Sequence, residues 1–116
     1  MKNKDVKNLL IRKYGNECWL KYKLTRDNQL TLHHIKPKRS NGATNERNGA
    51  LLSRLAHNDF NSLEQRYPDL ANEINRYLQT YKGNYPNEVL DRINKLMELV
   101  EKKEEREKGK VKIKRR

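Results

Sequence analysis

The chain has 116 residues, 34% of them hydrophobic and 36% charged, which is material for one modest domain with a small core. Its 27 Lys and Arg against 15 Asp and Glu leave a net charge of +12. That surface favours nucleic acid over an anionic membrane as partner, because basic side chains displace counterions condensed on phosphates. The single cysteine, Cys18, excludes an internal disulfide and a Cys-paired zinc site and fits an intracellular setting, while the charged N-terminus and the lack of a long apolar run argue against a signal peptide and a membrane span.

Val6, Leu9, Leu10 and Tyr14 recur at helical spacing, so residues 5–14 read as a helix that Asp5 caps and Gly15 stops. "CWLKYKLT" follows as a strand or an irregular lead, with Trp19 and Tyr22 as core, and "RDNQ" at 26–29 is a turn. "LTLHHI" at 30–35 is rich in strand formers and ends before Pro37. "KRSNGATNERN" is a loop with the turn dipeptide Asn41-Gly42, and "GALL" at 49–52 is a second strand, completing a hairpin with a long basic loop. Ser53 is an N-cap for a helix containing Leu55, Phe60 and Leu63, which Pro68 interrupts. Leu70, Ile74, Leu78 and Tyr81 mark another helix, closed by Gly83. Asn87 caps the last one, whose stripe is Val89, Ile93, Leu96 and Val100 and which the Glu/Lys pairs extend to about residue 107. Residues 110–116 carry no acid and read as a disordered basic tail, either a nucleic-acid arm or a solvated end.

All three histidines fall between Leu30 and Asn61. Hydrolysis of a phosphodiester needs an activated water and a stabiliser of phosphoryl charge. A neutral imidazole can supply the first and an imidazole-bound divalent cation the second. Adjacent strand residues point to opposite faces, so His33 and His34 are expected to divide these tasks. A further metal ligand must come from another element, and His57 is the available imidazole. Lys36, Lys38, Arg39 and Arg47 flank the set as candidate phosphate contacts, and Arg54 at the helix start is a further one.

"LHHIKP", Asn48 in "RNGALL" and His57 in "AHNDFN" resemble the HNH endonuclease motif on its ββα-metal fold, including the spacings of 14 from His34 to Asn48 and nine from Asn48 to His57. The resemblance covers about residues 28–64. It implies that His33 and His57 hold the metal, that His34 is the general base, and that Asn48 braces the loop that orients the base. Asn61 falls where a further ligand, or a side chain supporting one, is expected. Many family members carry two CxxC pairs for a structural zinc. Here Lys21 stands where the partner of Cys18 would be and no equivalent pair follows His57, so the flanking helices are expected to replace the zinc by packing. The loop has "SNG" where many members have Gly-Gly, leaving Gly42 for the turn.

The expectation is therefore an α+β protein with a ββα-metal core and helices at both ends. Residues 1–109 form a single HNH domain, of which 69–108 are a helical extension. It is expected to hydrolyse phosphodiester bonds in DNA, with RNA as the alternative substrate. The cofactor expected is one divalent ion, Mg²⁺ or Mn²⁺, with Zn²⁺ and Ni²⁺ left open. Monomer and homodimer are both open, no membrane is involved, and a cytoplasmic setting is expected, with a phage or mobile element among the possible sources. The competing readings are a binding module without turnover on the same fold and an RNA-associated basic protein.

Overall fold

A computed structural model describes residues 2–100. The chain folds as an α+β structure: α1 (Asn3–Tyr14), β1 (Leu30–His34), β2 (Gly49–Ser53), α2 (Arg54–Arg66), α3 (Pro68–Tyr81) and α4 (87–100). The expected extension of α4 to residue 107 and the basic tail lie outside the described residues.

β1 and β2 form a two-stranded antiparallel sheet in which His33 faces Ala50 and His34 faces Gly49. Strand alternation gives the sheet two different faces. Leu32 and the Gly49 backbone meet Leu10 of α1 on one face, where a Cβ on Gly49 would come within 3.0 Å of both leucine methyls. Thr31 and His33 meet α2 and α3 on the other. Every residue of β2 is buried, which explains why its sequence is a continuous apolar run rather than an alternating one.

The helix ends follow local chemistry. Gly15, at φ +98°, ends α1 as expected, but its N-cap is Lys2, and Asp5 sits in the first turn, where a carboxylate favours the helix dipole. Ser53 caps α2, its hydroxyl accepting the Ala56 N–H at 3.1 Å. Pro68 opens α3 as a first-turn proline, so the interruption is a boundary between two helices. Pro86 accepts the first backbone bonds of α4, which makes Asn87 its first helical residue rather than its cap.

The "CWLKYKLT" segment is irregular, and the "RDNQ" turn closes a bridge between Thr25 and Asn28. Cys18 is a packing residue whose Sγ accepts the Ser53 N–H at 3.3 Å. Lys21 takes a left-handed conformation (φ 67°) and donates from Nζ to the Gly83 carbonyl at 2.7 Å. The Tyr85 hydroxyl donates to the Trp19 carbonyl at 2.6 Å. Gly83, at φ +90°, lies against the buried indole, where a Cβ would stand 3.0 Å from Trp19 Cδ1. The α3–α4 linker thus clasps the turn after Cys18. α4 is tied down by Arg92, whose guanidinium donates in a fork to Glu73 of α3 at 2.8 and 3.0 Å, and by burial of Ile93, Leu96, Met97 and Val100.

Candidate metal and nucleic-acid site

The hairpin brings together the residues that stand apart in the chain. His33, at 6% exposure, packs with its ring centroid 5.2 Å from that of His57 and 4.7 Å from that of Phe60. Its Nε2 donates to Asn75 Oδ1 of α3 at 2.9 Å. That bond places the proton on Nε2 and leaves Nδ1 with its lone pair. Burial, the largest cause, pushes the His33 pKa down to about 4, so the ring is neutral near pH 7.

His57 is oriented by a short relay. The Thr31 hydroxyl donates its one hydrogen to the Leu52 carbonyl at 2.8 Å, so it accepts from His57 Nδ1 at 2.9 Å. Nε2 of His57 is left as an acceptor. Burial lowers its pKa, assisted by His34 and opposed by Glu64. Two neutral imidazoles on one sheet face, each with its other nitrogen held, are donors of the kind a divalent ion takes. Among the described residues no group of three His, Cys, Asp or Glu is gathered for an ion. Asn61 is exposed one turn beyond His57 on α2, with Glu64 next along the same face. Glu64 is 3.6 Å from Arg39, which reaches α2 from the hairpin loop.

His34 lies on the other face, half-buried, with Nε2 3.1 Å from the Thr44 hydroxyl. Burial first and the Lys38 charge second lower its pKa. The chain beyond it is held by Asn48. The Asn48 carbonyl accepts the Ile35 N–H at 2.8 Å, and its Oδ1 accepts the Lys36 N–H at 2.7 Å. Its Nδ2 donates to the carbonyls of Lys36 at 2.9 Å and Ala43 at 2.8 Å. One amide therefore closes the hairpin loop from both sides. Gly42 is required where the loop folds back, since a Cβ would lie 1.7 Å from the Lys36 carbonyl oxygen.

Of the expected phosphate contacts, Lys36, Lys38 and Arg47 lie on the loop with exposed side chains, and Arg39 is exposed but paired with Glu64. Arg54 directs Nε and one terminal nitrogen to the Asp27 carbonyl at 3.0 and 2.8 Å, pinning the 26–27 turn to the start of α2. Sequence reasoning missed Asn75 and Glu64. The signal for Asn75 was an amide inside the buried stripe Ala71, Ile74, Leu78; for Glu64 it was the helical spacing from His57.

A β-hairpin that presents two adjacent imidazoles and runs directly into a helix carrying a third is a ββα unit of the HNH type. Residues 16–59 match the family model of the HNH endonuclease. Proteins of this family are in general endonucleases that act on nucleic acid with a divalent metal. Neither the curated proteins nor the solved structures compared with the chain gave a match. No helix among the described residues is long and apolar enough to cross a membrane.

Proposed function

We propose that the protein is a metal-dependent endonuclease that hydrolyses phosphodiester bonds in DNA, with His34 as the general base. The observation that carries this reading is the grouping of the three imidazoles at one end of the hairpin, two on one face and His34 beside them on the other.

His33 and His57 would hold one divalent ion, with Asn61 beside them, and the ion would supply charge stabilisation to the phosphoryl and leaving oxygens. His34 takes the proton from an attacking water as the new P–O bond forms and the old one breaks. Its lowered pKa keeps it unprotonated at neutral pH, and half-burial leaves the ring open to release that proton to solvent. Asn48 fixes the strand end that carries it. Lys36, Lys38 and Arg47 bind flanking phosphates directly. Arg39 would exchange Glu64 for a phosphate, and the free N–H groups of Arg54 add a further contact.

Plasmid nicking with Mg²⁺, Mn²⁺, Zn²⁺ or Ni²⁺, and with EDTA, tests the proposal. The parent is expected to nick only with a metal, and His34→Ala to bind Mn²⁺ without cutting. His33→Ala is expected to lose Mn²⁺ affinity as well. Cleavage by His34→Ala at the parental rate would remove His34 as the base. Binding of DNA without cleavage under every metal would favour a binding module on the same fold.

A further inference from the structure

A groove of about 680 Å³ opens between the 36–48 loop and α3. Its cations are Lys36, Arg47 and Arg76, and no carboxylate is among the described residues that line it. α3 contributes Asn72, Asn75 and Gln79 besides Arg76, spaced so that they share one helix face, while Ala71, Ile74 and Leu78 are buried in the core. α3 lies beyond the matched segment, so this face is an addition to the HNH unit.

The groove communicates with the site. Asn75 lines it and bonds the His33 ring at 2.9 Å. Lys36 and Asn48, on its opposite wall, belong to the loop that follows His34. Arg76 is available to a ligand because the nearby Glu73 carboxylate is already taken by the Arg92 fork and by the Tyr77 hydroxyl at 2.7 Å. Cations without acids suit phosphate oxygens, and side-chain amides present the paired donor and acceptor that base edges match.

We infer that the groove between the hairpin loop and α3 is a second nucleic-acid subsite, holding the strand that leads away from the scissile phosphate. Arg76, Arg47 and Lys36 contact its phosphates, and Asn72 and Gln79 contact its base edges. The inference rests on the nuclease reading and adds contacts to flanking sequence from an element outside the matched segment.

Fluorescence anisotropy in EDTA tests it without turnover, with a labelled single strand of about 12 nucleotides and the duplex of the same sequence. Arg76→Ala is expected to weaken binding of at least one probe by about 3–10-fold and to reduce the salt slope by about 1. Arg66→Ala, which removes the same charge at the end of α2, is expected to do less. Asn72→Ala with Gln79→Ala is expected to alter the sequence spectrum of cut sites while leaving Mn²⁺ affinity intact. Equal effects of Arg76→Ala and Arg66→Ala would reduce the groove to bulk charge and overturn the inference. Unchanged binding and cut-site spectra, in a parent that still nicks plasmid, would overturn the subsite and leave the nuclease reading standing. A parent that binds neither probe and nicks nothing would overturn both.

Discussion

Replacing Asn75 with leucine separates the two things its amide does for His33. The substitution removes the acceptor of the 2.9 Å bond from a ring that is 6% exposed, and puts an apolar side chain of the same branched shape but greater bulk in its place. A lost hydrogen bond costs about 1 kcal/mol net, and a buried donor left without a partner raises that to about 1–3 kcal/mol. The ring has an escape, because its proton can move from Nε2 to Nδ1. The stability loss should therefore stay near the lower end, about 1–2 kcal/mol by urea denaturation in EDTA. The escape protonates the nitrogen proposed to hold the metal, so Mn²⁺ affinity by calorimetry should fall about 10–100-fold. Asn75→Asp keeps an acceptor at the same place and should retain metal binding. If Asn75→Leu binds Mn²⁺ as tightly as the parent, the tautomer argument is wrong and Asn75 is only a packing residue.

Gly42→Ala forces a Cβ onto the Lys36 carbonyl and should cost about 2 kcal/mol or more, read as a lowered urea midpoint, with nicking reduced because the loop after His34 opens. The carboxyl of Glu73 is held down to about 2, first by its bonds to Arg92 and then by Tyr77. A lowered carboxyl stabilises fully above its ordinary value of 4.5 and loses that stabilisation as pH falls from there through about 2. Screened by solvent, this link is worth about 1 kcal/mol. The Tm difference between the parent and Glu73→Gln should be largest near neutrality and vanish toward pH 2; a constant difference would place the effect in packing. The lowered pKa of His34 puts the acid limb of the nicking rate below the ordinary imidazole value of 6.5, and a limb above that value would indicate a different base.

Local chemistry made most of the scaffold readable from the chain. Proline and glycine positions, the Ser53 cap and the change from strand to helix periodicity locate β1, β2, α2 and α3 to within a residue or two, because each is a short-range effect of backbone and capping. The ordered set His33, His34, Asn48 and His57 pointed to the HNH unit for the same reason: all of it lies on one hairpin and the helix that follows. Strand alternation likewise separates His33 from His34 without any tertiary knowledge.

Contacts between distant segments were settled only by the tertiary structure. Asn75 stands 42 residues from His33 and reads as a polar interruption of a core stripe until α3 packs on the sheet. Lys21 reads as a missing zinc ligand until its ammonium meets the Gly83 carbonyl 62 residues later. The amide-rich groove exists only because α3 faces the hairpin loop. Periodicity assigns a residue to a face of its own element. Which element covers that face, and with what partner atoms, depends on packing geometry that no local window contains.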